Sequence, residues 1–210
     1  MSQNTSHAVM SQRSEPHDSL DFFPTRFWAT RALCEHLKRD CNLGGMPVWE
    51  PCCGQGHMSR PLSEYFREVH SSDVHDYGFG EVHDFLFPSD LRTSWVITNP
   101  PFRLAEQIIT TALDRACHGV AMLVRTAFLE SAGRYENLFR DHPPYEILQF
   151  CERVPMHRGR VEPKGSTATA YCWIVWRKGL GGTRFRWIAP CRARLERVSD
   201  YEYDLSGVAA

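Results

Sequence analysis

The stretch that decides the fold of this chain is Val48-Trp49-Glu50-Pro51-Cys52-Cys53-Gly54-Gln55-Gly56-His57. Its apolar beginning is typical of a short buried strand, and the mixed polar and apolar residues 58–67 that follow predict a helix. Between the two, a pair of glycines two positions apart allows the backbone to turn sharply and to approach a ligand closely. The first N–H groups of the following helix would then face a carboxylate or a phosphate. The sequence therefore predicts a strand, a ligand-binding glycine turn and a helix.

A second motif, Asn99-Pro100-Pro101-Phe102, follows the apolar run Trp95-Val96-Ile97-Thr98 further along the chain. The side-chain amide of Asn99 and the backbone carbonyl of Pro100 are two fixed acceptors, which suit the two hydrogens of a planar amino group. Phe102 adds an aromatic face on which a planar substrate can stack. Alone, this motif is equally typical of a turn after a strand. Together with the glycine turn, it indicates methylation of an amino nitrogen.

The two motifs in this order resemble those of S-adenosylmethionine-dependent methyltransferases of the Rossmann-like class, in the subset that acts on exocyclic amino groups. Glu50, Pro51, Gly54 and Gly56 match the family's cofactor motif Glu-Pro-x-x-Gly-x-Gly, and residues 99–102 match its catalytic motif in full. The resemblance covers about residues 20–180. The order of the amino-terminal segment, the glycine turn and residues 99–102 is similar in particular to that of small N6-adenine DNA methyltransferase-like proteins of phages and prophages.

The resemblance implies S-adenosylmethionine as the cofactor and assigns residues to it. In the second strand, Asp73 would bind the ribose hydroxyls, with Asp76 as its nearest rival. The adenine ring would contact Asp84, and Phe85 would form an apolar wall beside it. The expected contacts of the methionine part are Thr25, Glu50, Pro51, Cys52, Gly54 and Gly56. The expected catalytic residues are Asn99, Pro100, Pro101 and Phe102.

Near the amino end, Asp21-Phe22-Phe23-Pro24-Thr25 precedes a predicted helix over residues 26–39. This segment resembles the one that closes over the cofactor in the same family, in which Thr25 would help to bind the methionine end. A different interpretation is that Thr25 caps the helix and that the two phenylalanines are core residues, since Ser and Thr are ordinary N-caps.

Composition agrees with a single folded domain. The chain has 210 residues, of which 42% are hydrophobic, and a domain of this size can bury a sizeable core. No apolar run approaches the length that a membrane span needs, and the first twenty residues are polar. We therefore expect a cytoplasmic protein that does not associate with membranes. The eight cysteines and ten histidines lack metal-ligand spacing, so we expect reduced, mostly buried thiols and no metal site.

Alternating strands and helices predict an α/β fold with a mostly parallel sheet and helices on both faces. The resemblance makes this the seven-stranded sheet of the Rossmann-like class I methyltransferases. We expect a disordered tail at residues 1–19, the methyltransferase domain at 20–190, and a basic and then acidic tail at 191–210. The last strand is predicted at residues 170–177. In a parallel sheet the carboxyl ends of the strands share one edge, where Gly54, Asp73, Asp84 and Asn99 would cluster.

The second half of the chain carries the excess of basic residues. Residues 177–197 mix arginines with Phe185 and Trp187, which suits a phosphate backbone and unstacked bases, although a solvated basic surface has the same composition. The loop 155–169 would follow a strand at the ligand edge and grip phosphates, unless it is a flexible connection. The expected substrate contacts are Arg125, His157, Arg158, Arg160 and Lys164.

The resemblance implies transfer of a methyl group to the exocyclic N6 of adenine in DNA, with the target base swung out of its stack. No insertion after Asn99 is large enough for a target-recognition region. Either a second copy in a homodimer or a specificity partner supplies recognition, or the enzyme is promiscuous, or its substrate is not DNA. An RNA adenine methyltransferase would use the same site. A glutamine-amide methyltransferase would too, although its motif more often ends in Tyr. A non-catalytic protein that keeps the fold only to bind nucleic acid or a partner is the third alternative.

Overall fold

The computed structural model describes residues 21–159, 161 and 167–202, and its centre is an eight-stranded sheet. The strands are β1 (Pro47–Glu50), β2 (Glu68–Asp73), β3 (Glu81–Val82), β4 (Thr93–Thr98), β5 (Ala116–Arg125), β6 (Glu146–Phe150), β7 (Tyr171–Arg177) and β8 (Arg184–Ile188). The α-helices are α1 (Phe27–Leu37), α2 (Ser59–Leu62), α3 (Ala105–Arg115), α4 (Ala132–Arg134) and α5 (Arg192–Leu195). A π-helical turn, Tyr135–Phe139, continues α4, and 3-10 helices lie at Leu43–Gly45, Thr126–Leu129 and Val198–Tyr201.

The strand order is β3-β2-β1-β4-β5-β7-β6-β8. Neighbouring strands are parallel except in the two pairs that β7 makes with β5 and with β6. The carboxyl ends of β1, β2 and β4 therefore lie at one edge of the sheet. The predicted α/β fold with a mostly parallel sheet is confirmed, and the sheet has eight strands where seven were expected.

Two buried layers cover the two faces of the sheet. One layer contains Trp28 and Leu33 of α1, Leu62 of α2 and Leu195 of α5, and the other contains apolar residues of α3. The central strands β4 and β5 are almost continuously buried, as expected for parallel strands that are covered on both faces. The predicted arrangement of helices on both faces is therefore confirmed.

The strand β8 was not predicted, and the expectation that residues 170–177 form the last strand is wrong. β8 runs parallel to β6 with Glu146 opposite Arg184 and Phe150 opposite Ile188. Its first four residues are exposed, because it is an edge strand whose outer faces lack a covering layer. Residues 184–187 do alternate polar and apolar side chains, but the sequence analysis assigned this basic and aromatic stretch to a nucleic-acid-binding surface instead of a strand.

Residues 191–202, which the sequence analysis assigned to a tail, pack against α1. Leu195 belongs to the core layer on that face. The guanidinium of Arg31, which is 2% exposed, donates from Nη1 and Nη2 to the two carboxylate oxygens of Asp200, at 2.8 Å each. It also donates to Glu64 at 2.7 Å, and Arg197 pairs with the same Glu64 at 3.0 Å. A charged network thus holds this segment onto the domain.

No helix within the described parts of the chain has the length and apolar content that crossing a bilayer requires. All eight cysteines are free thiols, and five of them are buried: Cys34, Cys41, Cys53, Cys172 and Cys191.

Candidate active site

A pocket of about 240 Å³ opens at the edge where β1, β2 and β4 end. Nine of the residues expected from the sequence line it, and they are Thr25, Glu50, Pro51, Cys52, Asp73, Asp84, Phe85, Asn99 and Pro101. Among the lining residues that the sequence analysis did not assign are Phe23, His57, His75, Tyr77 and Leu104. The structure therefore brings both motifs and both candidate acidic ligands to one cavity.

The glycine turn lies beside the pocket, which residues 51–53 line, whereas the expected cofactor residues Gly54 and Gly56 are outside the lining. Gly54 and Gly56 have φ angles of 49° and 80°, which lie in the left-handed region that favours glycine. A Cβ on Gly54 would lie 2.4 Å from the Phe22 ring, and one on Gly56 would lie 2.5 Å from the Phe79 ring. Both glycines are thus needed for backbone conformation and for space. The predicted helix after the turn is short, since α2 spans only Ser59–Leu62.

Glu50 is a buried carboxylate at the end of β1. It is 2% exposed, and its Oε2 accepts a hydrogen bond from the Ser59 hydroxyl, which in turn accepts one from Ser71 at 2.7 Å. Among the described residues, no Lys, Arg or His forms an ion pair with Glu50. Burial raises the pKa of Glu50 to about 8, with the nearby charge of Asp73 adding to the rise. The pocket therefore contains an acid that lacks a cation.

Asp73 lies at the end of β2, where the resemblance places the ribose ligand. Its Oδ2 accepts from the Gly54 N–H at 2.9 Å and its Oδ1 from the His75 N–H at 3.1 Å. Burial raises the pKa of Asp73, and these two hydrogen bonds oppose the rise. The rival Asp76 is exposed, accepts from the Gly78 N–H at 2.8 Å, and lies outside the pocket lining. The geometry favours Asp73 over Asp76.

Asp84 and Phe85 line the far side of the pocket, beyond β3. The exposed Asp84 accepts from the Leu86 N–H at 2.9 Å. Phe85 is 3% exposed and packs edge-on against Trp49 with ring centroids 5.0 Å apart. The Arg115 guanidinium lies 4.6 Å from the Phe85 ring centre and donates to the Phe85 carbonyl at 2.7 Å. Phe85 is thus a fixed apolar surface.

Cys52 sits in the same turn and is partly buried. Burial raises the pKa of the Cys52 thiol well above its usual range. The side chain therefore lines the pocket as a neutral thiol, which suits contact with an uncharged part of a ligand.

Asn99 follows β4 and has a fixed side-chain orientation. Its Nδ2 donates to the Phe23 carbonyl at 2.9 Å and lies 3.8 Å from the Met156 sulfur. Because the Phe23 carbonyl can only accept, Nδ2 must be the atom that faces it, which directs Oδ1 the other way. Oδ1 is buried and receives no hydrogen bond from any described residue. A buried acceptor without a donor is rare in native proteins, and here it borders the pocket.

The segment of residues 21–25 lies across the site. The Phe102 N–H donates to Asp21 Oδ2 at 2.7 Å, and the Gly159 N–H donates to the Phe22 carbonyl at 2.9 Å. The Phe22 ring stacks on Tyr77 with centroids 4.7 Å apart. This segment therefore contacts the motif of residues 99–102, the glycine turn and the loop after β6.

Thr25 lies at the end of this segment and does not cap α1. The N-cap residue is Arg26, which makes no side-chain capping bond. Thr25 is 3% exposed and lines the pocket. Of the two interpretations of Thr25, the structure is compatible with the ligand contact.

The expected substrate residues are distributed beside the pocket. Arg125 is exposed, and its guanidinium lies 3.9 Å from the centre of the Phe102 ring. His157 and Arg158 are in the loop that begins next to Asn99. Arg160 and Lys164 lie outside the described residues.

Two residues of the expected catalytic motif are outside the pocket lining. Pro100 is buried and Phe102 is half-buried.

Most arginines of the 177–197 stretch form ion pairs with carboxylates. Arg177 pairs with Asp40 at 3.5 Å, Arg186 with Glu146 at 2.6 Å, and Arg192 with Glu196 at 2.8 Å. Together with the Arg197–Glu64 pair, these contacts are intramolecular and structural. The stretch therefore presents less free positive charge than its composition indicates.

The unassigned lining residues have a partial signal in the sequence. His75 and Tyr77 follow Asp73 within four positions, and residues just after a strand at the ligand edge are natural pocket residues. His57 directly follows the glycine turn and contacts the Phe22 ring at 6.2 Å between centroids. Pattern alone gives no reason to choose these aromatic residues over their neighbours.

Comparisons with known proteins show structural similarity only. No family model matches the chain, and no curated protein matches its sequence. A modification subunit assigned to a type I restriction enzyme of Vibrio vulnificus superposes with a TM-score of 0.58 at 14% identity, covering 90% of this chain and 53% of that one. The methyltransferase subunit of a type I restriction-modification system of Streptococcus thermophilus gives a TM-score of 0.58 at 10% identity, with 88% and 53% coverage.

A Pyrococcus horikoshii protein assigned as an RNA methyltransferase superposes with a TM-score of 0.54 at 18% identity, covering 72% of this chain and 85% of that one. The chain thus spans about half the length of the type I subunits that it resembles. At these identities the similarity shows the fold, which is that of Rossmann-like class I methyltransferases.

Proposed function

We propose that this protein is a methyltransferase that uses S-adenosylmethionine to methylate the exocyclic N6 of adenine in DNA. The observation that carries the proposal is Asn99, whose Oδ1 is buried without a donor among the described residues while Nδ2 is held by the Phe23 carbonyl. An acceptor kept free in this way fits a substrate amino group. Its position on a pocket with two acids, in a methyltransferase fold, supports the cofactor as well.

The pocket residues fit S-adenosylmethionine. When bound, this cofactor supplies a methyl group activated on a sulfonium. The cation-free carboxyl of Glu50 would meet the positively charged methionine part, and Asp73 would keep lone pairs for ribose hydroxyls after accepting from Gly54 and His75. Phe85 would cover one face of the adenine ring, with Asp84 at its edge. Neither Glu50 nor Asp73 forms an ion pair with a basic residue in the described part of the chain, which supports these roles.

In the proposed mechanism the protein mainly orients the amino group. Asn99 Oδ1 would accept one amino hydrogen and the Pro100 carbonyl the other, which directs the nitrogen lone pair into the pocket. Phe102 offers a planar surface for the flipped base. The four motif residues include no general base, so the amino proton would leave to solvent after transfer.

Location and partners follow from the substrate. We propose a cytoplasmic protein, since the nucleic acid is there, and recognition through a second copy or a specificity partner. The similarity to two type I subunits supports DNA. The similarity to an assigned RNA methyltransferase makes adenine in RNA the second candidate.

The experiment is mass spectrometry of nucleosides from the DNA and RNA of cells that express the chain. We expect new N6-methyladenine in DNA, and none with Asn99→Ala, because losing one fixed hydrogen bond at the reacting group costs about 100- to 1,000-fold in rate. A matched control is Asn42→Ala, whose residue precedes a 3-10 helix away from the pocket. The mark in RNA alone selects the second candidate. No new nucleoside in either pool contradicts the proposal and favours a protein substrate or a non-catalytic binder.

A further inference from the structure

Arg125 lies at the end of β5, apart from the arginines of the 177–197 stretch. Among the described residues, no carboxylate forms an ion pair with it, whereas Arg177, Arg186 and Arg192 each have one. The side chain is exposed at the end of β5. Its positive charge at the ligand edge of the sheet is therefore not paired with a carboxylate in the described part of the chain.

The guanidinium of Arg125 is held in place by aromatic rings. It lies 3.9 Å from the centre of the Phe102 ring and 5.9 Å from that of Phe23. It also lies beside Tyr171, where burial raises the pKa of the phenol and the charge of Arg125 opposes that rise. Cation–π contact of this kind orders a side chain that would otherwise move freely. Arg125 is thus pre-oriented next to the catalytic motif.

The guanidinium carbon lies 3.9 Å from the Phe102 ring centre, and the group is also hydrogen-bonded to Tyr171. Since a guanidinium has five N–H donors, the exposed Arg125 keeps donors for a ligand. The N–H groups at the edge of an arginine form a planar fork that matches two oxygens of a phosphate. Since Phe102 directly follows the two prolines of the motif, a ligand on this fork would be adjacent to the reacting base.

We propose that Arg125 binds a backbone phosphate next to the target nucleotide, and that Phe102 sets the direction from which it does so. This inference rests on the proposed function, because it places the target base at Asn99. In this account Phe102 has two roles, one toward the base and one toward Arg125. Arg125 is a positioning residue that fixes the nucleotide backbone while Asn99 holds the amino group.

Salt dependence of binding measures such a contact. Each phosphate that a protein neutralises on single-stranded nucleic acid contributes about 0.7 to the slope of log Kd against log salt, and about 0.9 on duplex DNA. The probes are a 20-nucleotide single strand of mixed sequence and the corresponding duplex, titrated with wild type, Arg125→Met and Arg125→Lys at several salt concentrations. Arg67→Met is the matched control, because Arg67 is exposed and precedes β2 at the opposite edge of the sheet.

We expect Arg125→Met to lower the slope by about 0.7 to 0.9 and to weaken binding at low salt by roughly tenfold. Arg125→Lys, which keeps the charge, should retain the slope, and Arg67→Met should match wild type. An unchanged slope for Arg125→Met overturns the inference. So does an equal loss of affinity in Arg125→Met and Arg125→Lys at constant slope, which would assign the guanidinium to base stacking.

The folding of each variant is checked by its thermal transition. Wild type that binds neither probe also overturns the inference. Failure of the proposed function has a separate signature, since nucleoside analysis would then find no methylation whatever the salt slopes are. A methylating wild type with an unchanged Arg125→Met slope refutes the phosphate contact alone.

Discussion

Two carboxyl groups in this molecule are almost equally buried, but their pKa values are shifted in opposite directions. Glu50 at the ligand edge is 2% exposed, and Glu146 on β6 is 4% exposed. Glu146 accepts from His36 at 2.9 Å and from Arg186 at 2.6 Å, whereas Glu50 accepts from a neutral hydroxyl. Burial would raise the pKa of Glu146 too, but these hydrogen bonds outweigh it and its pKa is lowered. The pKa of Glu50 rises to about 8.

The difference distinguishes regions whose charged groups have partners within the chain from a region whose polar groups are available to a ligand. Around β6, β8 and α5, acids and arginines satisfy one another, and these pairs hold edge elements that have little apolar area. Around the ends of β1 and β4, an acid lacks a cation and an amide oxygen lacks a donor among the described residues. Buried polar groups without hydrogen-bond or ion-pair partners indicate a binding site.

The largest effect is expected where a complete network is broken. Asp200→Ala leaves the buried Arg31 with only Glu64 as a carboxylate partner, and removing one partner of a buried pair costs about 3–5 kcal/mol. Chemical denaturation should therefore show a lower free energy of unfolding. Asp141→Ala, which removes an exposed pair with Arg140, should behave like wild type. Equal stability of the two variants would mean that residues 191–202 do not support the domain.

The second prediction concerns the pH dependence of the two carboxylates. The pKa of Glu50 in the folded state is about 8 against an ordinary 4.5, so the folded protein binds more protons between these values and its stability falls as pH rises through this window. Glu50→Gln removes that dependence. The free energy of unfolding of the variant, relative to that of wild type, should therefore rise by about 2–4 kcal/mol from pH 5 to pH 9. Denaturation curves at several pH values measure it.

Glu146→Gln is the counterpart and should behave in the opposite way. Because the folded pKa of Glu146 is depressed, its stabilisation is present above the ordinary pKa and is lost as pH falls through the folded one. At neutral pH the variant should lose about 1–3 kcal/mol, and the loss should disappear in acid. Parallel pH profiles for Glu50→Gln and Glu146→Gln would contradict the comparison.

The smallest effect is expected on the outer surface of β8. Trp187 is 69% exposed, so Trp187→Ala should change the free energy of unfolding by less than about 0.5 kcal/mol. Trp173→Ala is the control, since Trp173 is fully buried and donates to the Ala29 carbonyl at 3.1 Å. A large loss from Trp187→Ala would show that β8 depends on apolar packing and not on its charge pairs and backbone hydrogen bonds.

The half of the fold that contains the site could be predicted from the sequence because its constraints are local. Each of its features can be recognised in a short stretch of sequence without knowledge of tertiary contacts. These features are the glycines at positive φ, the acid at a strand end and the polar motif after an apolar strand. In β8, residues 184–187 alternate polar and apolar side chains, but all four are exposed, so the alternation marks no core face and was assigned to a nucleic-acid-binding surface. The ion pairs of Arg31 with Asp200 and of Arg186 with Glu146 join distant parts of the chain, so composition could only indicate a basic surface. Phe22 and Tyr77 became site residues through packing that spacing does not reveal.

Cofactor binding tests the central claim most directly. Titration calorimetry would measure the Kd of S-adenosylmethionine for wild type, Asp73→Ala and Asp76→Ala. We predict that wild type binds, that Asp73→Ala binds roughly 10- to 100-fold more weakly because it loses hydrogen bonds to a carboxylate, and that Asp76→Ala is unchanged. No binding by folded wild type, or equal affinities for the two variants, would contradict the assignment of this pocket.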